Sequence, residues 1–162
     1  MNTEHKMVPV EYSGLSALID EGIAPLIREL WKAGIVTLMS CEENRPGWMW
    51  IDFAHVTAAE HFVSIVARYE TGIESLYNRI RGEWEPLTGD LVGKWQYAVS
   101  PMDVAVEESE TDGHIEEACV GPSVFLFTLS IRFPKADYST VLARMREHNR
   151  KTRAEMRRRA RR

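Results

Sequence analysis

The strongest constraint on this chain lies in its last third, where Phe125, Phe127, Leu129, Ile131 and Phe133 alternate with Leu126, Thr128, Ser130 and Arg132. A period of two puts the five apolar side chains on one face of a β-strand and the more polar set on the other. Such a strand belongs in a sheet covered on one side, and Pro134 stops it because proline cannot donate to a ladder.

Helical patterns fall between the strand patterns in separate blocks. Ile23, Leu26, Ile27, Leu30 and Trp31 recur at intervals of three and four, which predicts a helix with Asp20 as its N-cap and Gly34 just past its end. Strands follow over 35–41 and 48–54, and the Pro46-Gly47 step in the 42–47 segment predicts that they pair as a hairpin. Thr57 and Glu60 have capping-box spacing ahead of a stripe of Phe62, Ile65, Val66 and Tyr69, and Ile73, Leu76, Tyr77 and Ile80 make a second short helix. Trp95, Tyr97 and Val99 alternate into another strand, interrupted at Pro101. Asp137 is placed to cap a last helix with Val141, Leu142 and Met145 facing inward. Residues 1–14 show no clear period and read as a loosely attached lead-in.

Grouped hairpins and helices favour an antiparallel arrangement over a parallel α/β fold. The expectation is an α+β two-layer sandwich, a mainly antiparallel sheet of about four strands with helices on one face and a basic C-terminal helix. At 162 residues and 44% apolar composition, one core is the default. Residues 1–148 are read as a single domain carrying an acidic loop at 107–121, and 149–162 as a basic tail with no buried stripe to hold it. No run is long and apolar enough to span a bilayer and the first residues lack the pattern of a leader, so a cytoplasmic protein with no membrane partner is expected. Cys41 and Cys119 are then expected to be reduced thiols.

The net charge of −4 conceals a division. Residues 135–162 hold eleven Lys or Arg against three acidic residues, a net +8, which leaves −12 on residues 1–134. A basic segment of this density suits an anionic polymer, whereas the acidic body suits a basic partner. The phosphate-contact candidates are Arg150, Lys151, Arg153, Arg157, Arg158, Arg159, Arg161 and Arg162.

Ser40, Cys41 and Glu42 stand at a strand end, where side chains are exposed on rigid support. Cys41 could act as a nucleophile with Glu42 or Glu43 as base, but acidic neighbours oppose thiolate formation. The structural alternative has Ser40 bonding the turn and Cys41 packing as a small apolar residue. His55 and His61 are the histidines placed to approach. Trp48, Trp50 and Asp52 share one strand face, and Trp84 and Trp95 flank a glycine-containing link, so these aromatics form a candidate ligand or partner surface. No spacing of His, Cys and carboxylates matches a metal motif, His114 and Cys119 included, and no glycine-rich phosphate cradle occurs; no metal, cofactor or catalytic residue is expected on that basis.

The run from Asp20 through Gly22, Ile23, Leu30, Gly34, Ile35, Thr37, Ser40 and Cys41 to Glu42, followed by an aromatic strand and the segment Leu87–Trp95, resembles a family of small uncharacterised bacterial and phage proteins. Their shared core reads D-x-G-I-x-x-x-V-x-x-L-x-x-x-G-I-x-T-x-x-S-C-E-G. The likeness covers roughly residues 20–100, and this chain departs from it at Glu43-Asn44-Arg45, where the family continues with glycine. What the resemblance implies is setting, a phage or prophage accessory gene. The leading functional expectation is a non-enzymatic binding protein that engages nucleic acid through its basic tail, or a host protein. The alternatives are a small-ligand binder or enzyme centred on Ser40, Cys41 and Glu42, and an acidic nucleic-acid mimic that inhibits a host DNA-binding protein.

Overall fold

A computed structural model describes residues 5–72, 75–82, 94–104 and 124–161. Trp84, Arg162, His114, Cys119, the acidic loop 107–121 and most of the 87–95 link lie outside the described residues.

The chain starts with a hairpin rather than a loose lead-in. Strands β1 (Met7–Tyr12) and β2 (Leu15–Asp20) pair antiparallel around Ser13-Gly14. Both turn residues have positive φ, 48° and 86°, as the tight two-residue turn that matches strand twist requires. Val8, Val10 and Tyr12 on β1, with Leu15, Ala17 and Ile19 on β2, turn toward the core, so this element carries its own period of two.

Helix α1 (Ala24–Lys32) buries Leu26, Ile27, Leu30 and Trp31, as its stripe dictates. It stops at Gly34, φ 73°, where the Gly34 amide donates to the Trp31 carbonyl and the Ile35 amide to the Leu30 carbonyl, the paired bonds of a Schellman stop. Asp20 is not its cap: the N-cap is Ile23, and the Asp20 carboxylate instead accepts from the Glu42 amide at 3.0 Å.

Strands β3 (Thr37–Arg45), β4 (Trp48–Phe53), β5 (Gln96–Val104) and β6 (Val124–Pro134) form one antiparallel sheet in the order β3-β4-β6-β5. Strand β3 runs on through Glu42–Arg45 with an irregularity before Arg45, so the turn is shorter than the predicted 42–47 segment. Pro101 does not interrupt β5, because β5 is an edge strand and its outer side has no ladder to complete.

Met49, Ile51 and Phe53 pair with Phe133, Ile131 and Leu129, and this face meets α2 (Val56–Val66). The packing centres on a stack of rings: Phe53 on Phe62 at 5.4 Å, Phe62 on Trp95 at 5.9 Å, and Trp95 on Phe133 at 4.9 Å. The apolar face of β6 is interior only in part. Phe127 is 57% exposed, because β4 ends opposite Leu129 and the β5–β6 ribbon runs on past it.

Helix α2 is capped by His55 backbone with no side-chain bond, so the Thr57–Glu60 box is not formed. The short α3 (Leu76–Arg81) is capped by Ser75, whose hydroxyl accepts from the Asn78 amide. Helix α4 (Tyr138–Arg159) follows a 3-10 turn over Lys135–Asp137. Asp137 makes no capping bond because its carboxylate is taken: Arg79 Nη2 donates to Oδ1 at 2.5 Å and Trp95 Nε1 donates to Oδ2 at 3.0 Å. Among the described residues no helix is long and apolar enough to cross a membrane.

Candidate functional site

Three groups of residues could meet another molecule. The first is the distal half of α4. Val141, Leu142 and Met145 dock α4 on the body, and its last anchor is Asn149, which is buried and donates through Nδ2 to the Glu29 carbonyl at 2.9 Å and to Glu29 Oε2 at 2.7 Å. Burial pushes the Glu29 carboxyl up, but hydrogen bonds from Lys32 and Asn149 outweigh it and hold the pKa below its ordinary value. Residue 149 lies within a continuous helix, so the basic segment extends α4 past its last anchor.

Beyond this anchor Arg150, Lys151, Arg153, Arg157, Arg158, Arg159 and Arg161 are all exposed. Lys151 pairs with Glu147 at 2.7 Å; among the described residues no carboxylate lies within ion-pair distance of the six arginines. Arg146, Arg150, Arg153 and Arg157 follow at intervals of four, three and four, which aligns them along one helical face. They border a groove of about 440 Å³ against Lys32 of α1. The Glu29 at its floor is already compensated by Lys32, at 2.6 Å, and Asn149.

The second group is the sheet face opposite the helices. Trp48, Trp50 and Asp52 lie on it, as alternation in β4 predicts, but the indoles are not open platforms. The Arg45 guanidinium sits over Trp48, 5.1 Å from the ring centre, and Arg132 over Trp50 at 5.9 Å. Trp50 Nε1 has no acceptor among the described residues. Trp95 does not belong to this surface at all, being 3% exposed inside the ring stack. Its position beside a glycine-containing link suggested exposure, whereas the Asp137 carboxylate supplies the buried acceptor its N–H needs.

Asp52 is 8% exposed, and burial raises its carboxyl above the ordinary value of 3.8 while a hydrogen bond from Thr128 pulls the other way. With a raised native pKa the folded state holds the proton more tightly than the unfolded chain. This contribution is complete below the ordinary carboxyl range and is lost as pH rises through the native value. Asp52→Asn should therefore melt at or above the wild-type temperature near neutral pH, and the difference should shrink on acidification toward about pH 4. Thermal melts of the two proteins across that range check it.

The third group was legible only in part. Ser40 is opposite Ile51 and Cys41 opposite Trp50, so neighbouring side chains leave the strand on opposite faces. Ser40 thus shares the Ile51 side of the sheet and does not bond the turn: its Oγ has no partner among the described residues. Cys41 and Glu42 instead meet Asp20 from the end of β2 and His5 from just before β1. His5 Nδ1 lies 2.9 Å from Glu42 Oε1, and the Gly22 amide donates to Glu42 Oε2. A Cβ on Gly22 would come 2.9 Å from the Glu42 carboxyl carbon, so glycine is what lets this carboxylate close on the backbone. The Glu42 hydrogen bond lifts the His5 pKa above its usual value, while burial, reinforced by Asp20, raises the Cys41 thiol despite an opposing bond to Glu43 backbone. His61 lies against His148 at 5.9 Å; His55 caps α2.

Asp20, Gly22, Cys41 and Glu42 of the D-x-G-I…S-C-E run thus converge, and Thr37 of the same run accepts the Trp31 indole N–H at 3.1 Å. No family model, characterised protein or solved structure matches the chain.

Proposed function

We propose that this protein is a non-enzymatic binding protein that engages nucleic acid through the distal half of α4. The observation that carries this reading is the stripe of Arg146, Arg150, Arg153 and Arg157 on a helix anchored at Asn149. The stripe steps at roughly 5–6 Å along the axis, a spacing that lets successive guanidinium groups meet successive phosphates. Arginine is the suitable residue, since its planar fork binds phosphate oxygens two at a time.

An anionic bilayer is a poorer partner. A helix lying in a membrane interface needs an apolar face, and beyond Asn149 the only large apolar side chain is Met156. Neither base stacking on Trp48 and Trp50 nor sequence reading is part of this proposal, because both indoles already carry a guanidinium. Binding should be indifferent to sequence and dominated by backbone charge. A phage or prophage accessory role would be consistent with the resemblance in the D-x-G-I…S-C-E run.

Replacing Arg150, Arg153 and Arg157 together by Gln preserves helix propensity and removes three charges. We expect the triple variant to bind a short duplex at least tenfold more weakly by fluorescence anisotropy at low salt, with an unchanged melting temperature. Equal affinity would sink the proposal and move the weight to a protein partner.

A further inference from the structure

We propose that His5, Asp20 and Cys41 form a zinc-binding site with an open coordination position, independent of the basic face of α4. The three residues come from separate segments, and one ligand atom from each lies within 4.8 Å of the other two. Ligands around a tetrahedral zinc stand roughly 3.5 Å apart, so small side-chain rotations would complete the set. An imidazole, a carboxylate and a thiolate together select a borderline transition ion over magnesium or calcium, whose sites are built from oxygen alone.

The surroundings fit a cation better than they fit an empty cluster. Asp20 is 6% exposed and, among the described residues, no lysine or arginine lies within ion-pair distance of it; its carboxylate accepts from the Glu42 amide. A second carboxylate, Glu42, approaches the same place, so two negative groups face one histidine. Burying a carboxylate without compensation is costly, and a divalent ion would supply the missing charge. The supporting bonds also have the right character. Glu42 holds the His5 ring through Nδ1, leaving the other ring nitrogen for a metal, and the Glu42 amide fixes one oxygen of Asp20. Three protein ligands leave a fourth position for water or a small ligand.

The test uses the whole chain, stripped with chelator and titrated with cobalt(II), which reports tetrahedral thiolate coordination by absorption. One equivalent should produce a thiolate-to-cobalt charge-transfer band, displaced by zinc. The band should vanish in Cys41→Ser, and His5→Ala should weaken zinc binding at least about tenfold. Gly22→Ala, which pushes the Glu42 carboxylate off the ring it holds, should also weaken zinc binding. No band in the folded wild-type protein, a band that survives in Cys41→Ser, or full affinity in His5→Ala overturns the site. If Cys41→Ser does not fold, His5→Ala decides alone, because His5 lies outside the apolar core.

Discussion

Phe133→Ala is expected to destabilise the fold by about 3–5 kcal/mol. Phe133 is fully buried, pairs with Met49 across the sheet and stacks on Trp95 at 4.9 Å. Removing the ring deletes its own transfer free energy and leaves a cavity beside an indole that the Asp137 bond holds in place. A loss of that size is a large fraction of the roughly 5–15 kcal/mol that stabilises a domain. Phe127→Ala, on the same strand and the same face, should cost less than about 1 kcal/mol, since Phe127 is largely exposed. Urea denaturation of both variants separates them; similar midpoints would mean that the helix layer extends over the β5–β6 ribbon.

Asp137→Ala is the second large effect, about 2–4 kcal/mol. Asp137 is 5% exposed and ties three parts of the chain together, accepting from Arg79 on α3 and from the Trp95 indole at the head of β5, at the junction of β6 and α4. Alanine would strand the Trp95 indole N–H in a buried place and take a charged bond from Arg79, and an unmade bond there costs more than a made one contributes. Asp137→Asn keeps an acceptor and the volume but loses the charge, so an intermediate loss is expected. Because Phe133 and Asp137 both act on Trp95, the double variant should lose less than the sum of the singles. Strict additivity would show that Trp95 does not couple them.

These two residues also show how far local pattern carries. The α1 stripe, its stop at Gly34 and the pairing of the 48–54 strand follow from spacing alone, because the period and the turn chemistry lie in adjacent residues. The α+β class follows for the same reason. Alternation in β6 was equally legible, but whether Phe127 is covered depends on where β4 ends, information held some seventy residues earlier. The β1–β2 hairpin has its own alternation, which Pro9 and the Ser13-Gly14 step disguised as irregular chain. Asp20 and Asp137 have the look of helix caps, yet each is claimed by a distant donor, Glu42 in one case and Trp95 with Arg79 in the other. At the strand end, Cys41 and Glu42 stood out in sequence, while His5 did not, since only the folded hairpin brings it near. On α4 the charges were plain, but the anchor was not: Asn149 is polar and reads as surface until Glu29 is placed beside it.

Nucleic-acid contact through α4 is the central claim, and the salt dependence of duplex binding tests it most directly. Each phosphate neutralised on duplex DNA adds about 0.9 to the downward slope of log affinity against log salt. Wild-type protein should give a slope of at least about −3, and the Arg150→Gln, Arg153→Gln, Arg157→Gln variant a slope shallower by roughly 2–3. Identical slopes for the two proteins, or no wild-type binding even at low salt, would contradict it.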